Sequence, residues 1–193
     1  MRSLALACAL LLGMAAAAAA QATSGVSHEG DIALTYHLVH TNAPPGGGCG
    51  CFTLNGVGLS ASYNFGLKLA AVAEGSLDHT SNALASKDSL TLTSYMAGAR
   101  YHIFEPRMDG SHRPQPFVQV LVGGAHAGGG IAGIGDGTSA FAGRLGGGVD
   151  VPLTFAIAFR VQGDYYMTDF ANGADNHQNN ILFGAGVVIH WSR

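Results

Sequence analysis

The chain has 193 residues, of which 29 are Gly and only 11% are Asp, Glu, Lys or Arg, with a formal net charge of −3. Soluble domains carry about 25% charged residues and about 7% Gly, so a charged, water-facing globule is a poor fit, and a hydrophobic share of 48% argues against disorder. No run of about 20 apolar residues follows position 20, which excludes a helical membrane protein; Gly lacks the three-residue period of collagen, and a weakly acidic chain offers no basic face for nucleic acid.

Residues 1–20 read as a secretory signal peptide. Arg2 supplies its positive start, Leu4 to Met14 its apolar stretch, and Ala18 and Ala20 the small residues before a cut at Gln21. That leaves residues 21–193 as one domain, with strands from about residue 30. Export would put Cys49 and Cys51 in an oxidising compartment.

From Gly30 onward, eight segments alternate with period two, the signature of strands with two unlike faces. The bulky faces, in chain order, begin with Ile32, Leu34, Tyr36 and Leu38, then Val57, Leu59, Ala61, Tyr63 and Phe65. Leu67, Leu69, Ala71, Ala73 and Leu77 follow, then Tyr95, Ala97, Ala99, Tyr101 and Ile103. Segment five is ambiguous, with Val118, Val120 and Val122 set against Phe117, Gln119 and Leu121. The last three are Phe141, Leu145, Val149 and Val151; Phe155, Ile157, Phe159, Val161, Tyr165 and Met167; and Ile181, Phe183, Ala185, Val187, Ile189 and Trp191.

No charged residue falls on a bulky face. The opposite faces are Gly, Ala, Ser and a few charges, too small and too sparsely charged for a solvated exterior. They suit the inside of a narrow eight-stranded barrel, with the bulky face toward lipid. A closed barrel satisfies its backbone groups in hydrocarbon, and about 9–11 tilted residues span it. The expected fold is therefore all-β, an eight-stranded antiparallel up-and-down transmembrane β-barrel.

The connections agree. Asn64-Phe65-Gly66 and Pro152-Leu153-Thr154 read as tight turns, and polar loops near 40–52, 79–89, 126–139 and 169–179 lie at the other end. Short periplasmic turns and longer outer loops are the outer-membrane arrangement, although the connection Phe104–Pro116 is longer than that pattern predicts. Phe65, Tyr101, Phe155 and Trp191 would form the periplasmic aromatic girdle, and Tyr165 and Phe183 suit the outer one. Leu90 and Leu92 break the parity of segment four, which suggests a bulge or a stretch above the membrane.

These features, over residues 27–193, resemble the small outer-membrane β-barrel family typified by the OmpA transmembrane domain and OmpX. The most specific piece is the ending Gly186-Val187-Val188-Ile189-His190-Trp191, which is similar to the family's insertion signal, with Gly186, Ile189 and Trp191 at its key positions. Ser192 and Arg193 follow the aromatic, where many members stop on it. Arg160 to Tyr165 also resembles the family's penultimate strand. The resemblance implies recognition by the barrel assembly machinery. The peptidoglycan-binding domain of full-length OmpA has no counterpart in these residues.

Inward charges nearly cancel: Lys68, Arg100, Arg144 and Arg160 against Glu74, Asp78, Asp150 and Asp164. Unpaired buried charge is costly, so a salt-bridge network is expected. A turn centred at Leu153 places Arg144 opposite Gln162 and diagonal to Arg160 and Asp164.

Three other groupings are weighed for chemistry. His37, His40, Cys49 and Cys51 flank the first outer loop; a zinc- or copper-type site, a strained Cys-x-Cys disulfide, and free or intermolecular thiols all stay open. His79-Thr80-Ser81-Asn82 resembles the His-x-Ser-Asn motif of outer-membrane lipid A 3-O-deacylases, though it comes early in the chain and matches over four residues only. The Gly clusters at 123–124, 128–130 and 146–148 lack the strand-to-helix context and Lys of a phosphate loop. The expectation is a monomeric outer-membrane barrel without enzymatic activity, metal or cofactor, with a filled interior. It would meet outer-membrane lipid and, through its loops, extracellular ligands, in envelope integrity or adhesion. The alternatives are a lipid A-modifying hydrolase and a small narrow pore.

Overall fold

A computed structural model describes residues 30–41, 52–65, 68–83, 88–104, 113–129, 137–170 and 177–191. They form eight strands: β1 (Gly30–Thr41), β2 (Phe52–Asn64), β3 (Leu69–Ala83), β4 (Asp88–His102), β5 (Gln115–Gly129), β6 (Thr138–Pro152), β7 (Ile157–Thr168) and β8 (Gln178–Trp191). Each strand pairs antiparallel with the next, and β8 pairs with β1 to close the barrel.

The ladder fixes the barrel's shape. Following paired residues from Gly30 through Tyr63, Ala71, Ala99, Val120, Leu145, Tyr165 and Ile181 leads back to β1 at His40, ten residues along from the start. That offset is the shear, and with eight strands it implies a tilt of about 40°. Gly lets neighbouring backbones approach across this tightly curved wall: a Cβ on Gly98 would lie 1.9 Å from the Val120 carbonyl oxygen.

The bulky residues point outward on all eight strands. Leu34, Leu59, Tyr95, Leu145 and Phe183 are exposed, whereas Thr35, Ser60, Ser94, Arg144 and Asp164 are buried. Segment five follows the same rule, with Val118, Val120 and Val122 outside and Phe117, Gln119 and Leu121 inside. Toward the outer end the outward residues change character at one height. Leu38 gives way to His40 on β1, Leu77 to His79 on β3, Tyr95 to Thr93 on β4, and Ile181 to Asn179 on β8. About ten residues of tilted strand lie below that line, covering about 25 Å along the axis, the height of an outer-membrane apolar band.

Three expectations need correction. Leu90 and Leu92 do not break parity: β4 alternates through both, which are buried inside, and the register shift lies further out, between Thr80 and Ala83. They looked irregular because the inner face itself turns apolar near the outer end. The loop expected at 79–89 is mostly strand, since β3 runs to Ala83 and β4 starts at Asp88. The turn after β6 is not centred at Leu153. Leu153 and Thr154 both donate their N–H to the Ile157 carbonyl at 2.9 Å, and Pro152 pairs with Ala158. The wider turn moves the register, so Arg144 faces Tyr166 and Arg160 faces Asp150.

Candidate functional site

The inward charges collect in two clusters. In the lower one, Arg160 forks onto Asp150, with Nε donating to Oδ1 at 2.7 Å and Nη2 to Oδ2 at 2.8 Å. Asp31 lies between the two guanidiniums, 3.5 Å from Arg100 Nη1 and 3.6 Å from Arg160 Nη2, and accepts from the Ser62 hydroxyl. Phe117 stacks against both cations, with its ring centre 4.6 Å from the Arg100 guanidinium carbon and 4.8 Å from that of Arg160. Two carboxylates thus face two guanidiniums, and an aromatic face helps hold the like charges together.

The second cluster lies further out along the axis. Arg144 donates to Glu74 and, at 3.1 Å, to Asp164 Oδ2. Gln162 Nε2 reaches the same Asp164 oxygen at 3.2 Å. Gln119 joins the two clusters: its carbonyl accepts from Arg100 Nη2 at 3.1 Å, and its amide donates to Asp164 Oδ1 at 3.2 Å.

A third polar group sits beyond these. His37 Nε2 lies 2.7 Å from the Thr35 hydroxyl, and its Nδ1 is 3.6 Å from Asp78 Oδ1. Asp78 accepts from Ser76 at 2.8 Å, and Ser76 also bonds Ser94 at 2.8 Å. At the outer end the inward face becomes mostly apolar, with Thr41, Thr80, Thr168 and Asn180 interspersed. Val39, Leu54, Leu90, Leu92, Ala125, Ala127, Phe170 and Leu182 belong to one buried cluster, against which Phe52 and Ala140 pack.

Of the residues singled out from sequence, Glu74, Arg100, Arg144, Asp150, Arg160 and Asp164 lie within the two clusters. Lys68 does not. It sits on the rim just below the lower cluster, where its Nζ donates to the Ile103 carbonyl at 3.2 Å. Asp31, Gln119 and Phe117 were not singled out; Asp31 shares the parity of inward Ala33 and Thr35, whereas segment five left Phe117 and Gln119 undecided. The weight given to formal charge hid the amide and the ring, and Asp31 is the first residue of its segment.

Gly186 faces inward, paired with Thr35 and Arg160. Its Cα has no room for a side chain, because a Cβ there would lie 2.0 Å from the Leu34 carbonyl oxygen. Ile189 and Trp191 point outward, 53% and 41% exposed, and Trp191 pairs with Gly30.

In the His79 motif, His79 and Ser81 are both exposed on the outward face. His79 faces outward and bonds the Thr91 hydroxyl at 2.9 Å, while Asp78 points inside to His37. The neighbouring acid is therefore on the wrong face to serve His79. His37 and His40 likewise lie on opposite faces, with His40 Nδ1 3.3 Å from the Thr53 hydroxyl. Cys49 and Cys51 lie outside the described residues, as do residues 1–20. Among the described residues no group of three or more His, Cys, Asp or Glu is placed to hold a metal ion.

The family model for the outer membrane protein beta-barrel domain matches residues 5–188. The chain belongs to that family. This outer-membrane barrel also resembles solved structures across their whole lengths. Neisserial surface protein A is 14% identical with a TM-score of 0.62, covering 86% of this chain and 99% of its own. Ail of Yersinia pestis, solved in complex with the heparin analogue sucrose octasulfate, is 14% identical with a TM-score of 0.52, over 85% and 100%. The N-terminal barrel domain of Pseudomonas aeruginosa OprF is 14% identical with a TM-score of 0.54, over 83% and 97%. At these identities the likeness is one of fold. No curated protein matches the sequence.

Proposed function

We propose that this outer-membrane barrel is a closed, non-catalytic wall element that works through its outer loops, in envelope integrity or in contact with extracellular ligands. The observation that carries this reading is the order of layers along the axis. Paired charges occupy one half of the interior, and an apolar plug of Leu54, Leu90, Leu92 and Phe170 lies beyond them. An ion would have to displace bonded guanidiniums and then cross hydrocarbon-like side chains, each step costing several kcal/mol. This order of layers supports a filled interior without a conducting path.

The surface role rests on fold-level analogy, supported by Ail and its bound heparin analogue. The same reading includes removal of residues 1–20 on export, delivery by the barrel assembly machinery through Gly186, Ile189 and Trp191, and a monomer in the membrane. The test is planar-bilayer recording on the purified protein beside Arg144→Ala. A silent parent barrel is expected, and discrete conductance in the unsubstituted protein favours the small-pore reading instead. Lipid A deacylation that Ser81→Ala abolishes would establish the hydrolase.

A further inference from the structure

Where the outward face changes from apolar to polar, the first polar groups on three alternate strands are histidines. His40 on β1, His79 on β3 and His126 on β5 are all exposed. Each ties Nδ1 to a hydroxyl on the next strand: His40 to Thr53 at 3.3 Å, His79 to Thr91 at 2.9 Å, and His126 to Ser139 at 3.0 Å. One geometry recurring three times at one height is a built feature of the wall. In a neutral imidazole whose Nδ1 accepts from the hydroxyl, the proton resides on Nε2. With the hydroxyl donating to Nδ1, the ring's N–H is left on Nε2, at the level where lipid headgroups meet the barrel.

The described residues paired with these rings are uncharged. Thr53 and Ile181 flank His40, Asn55 and Thr91 flank His79, and Thr93 and Ser139 flank His126. Among the described residues no Lys or Arg faces outward at this level. His177 differs, because its Nδ1 is paired to Asp169.

We propose that His40, His79 and His126 form a collar that binds phosphomonoester groups on glycolipid headgroups of the outer leaflet. Three features favour lipid as the occupant. The collar lies directly above the apolar band, it spans half the circumference, and its donors complement an anionic acceptor that lines that boundary. A donor to phosphate is a charge-assisted hydrogen bond.

The experiment is native mass spectrometry of the full chain, released from dodecyl maltoside micelles doped with lipid A or with enzymatically dephosphorylated lipid A. The phosphorylated lipid should be retained about fivefold more, roughly three exposed charge-assisted bonds after screening. The H40Q/H79Q/H126Q variant should fall to the dephosphorylated level, with H177Q unchanged. Heat-shifted gel mobility checks that each variant is folded. Should the triple variant fail to fold, the comparison of the two lipids on the unsubstituted barrel, with H126Q alone, decides the matter. Equal retention of the two lipids, or full retention by the folded triple variant, overturns the proposal.

Discussion

Replacing Arg160 with Met removes a guanidinium while keeping most of its volume, and tests whether the inner charges act as a dry, paired cluster. Arg160 is fully buried and supplies both hydrogen bonds that Asp150 receives among the described residues, at 2.7 and 2.8 Å. Without it Asp150 is left as a buried carboxylate stripped of its fork, a loss of about 3–5 kcal/mol. Asp150→Asn should cost less, about 2–3 kcal/mol, because Arg160 still has Asp31 at 3.6 Å and the Phe117 ring at 4.8 Å. The double variant removes both charges together, so its cost should fall short of the sum of the two by about 2–3 kcal/mol. Urea unfolding in phospholipid vesicles measures all three, with Trp191, the sole tryptophan and lipid-facing, as the fluorescent probe. A loss under about 1 kcal/mol for Arg160→Met, or additivity within about 0.5 kcal/mol, would refute the argument, since only a water-filled lumen could screen the charges so well.

Gly186→Ala should slow folding and lower stability even in vesicles that contain no assembly machinery, because a Cβ there meets the Leu34 backbone; normal folding in vesicles with failure only in cells would assign Gly186 to recognition alone. Leu90→Ser with Leu92→Ser puts unpaired hydroxyls into the apolar plug. This should cost about 2–5 kcal/mol and, in planar bilayers, raise ion leakage above that of the parent. The unsubstituted protein should fractionate with the outer membrane and shift its gel mobility on boiling, and recovery from the soluble periplasm would contradict the barrel.

Much of this architecture was legible in the residues. Period-two alternation separates Leu34, Leu59 and Phe183 from Thr35, Ser60 and Gly184, and a face rich in Gly and Ala leaves lipid as the only partner for the bulky one. The inward placement of Arg100, Arg144, Arg160, Asp150 and Asp164 follows from the same parity, because a strand offers each side chain only two directions. Which charges meet could not be read that way. Asp31 and Arg100 are 69 residues apart in sequence and come together only because the barrel closes with a particular shear. The fork between Arg160 and Asp150 depends on a turn wider than its Pro152-Leu153-Thr154 core suggests. The switch of the inner face to Leu and Phe near the outer end is likewise a property of height along the axis, which alternation alone does not encode. Sequence set the face of each residue, through the pleat; the closed, tilted ladder set its height and neighbours, because those depend on register summed round all eight strands.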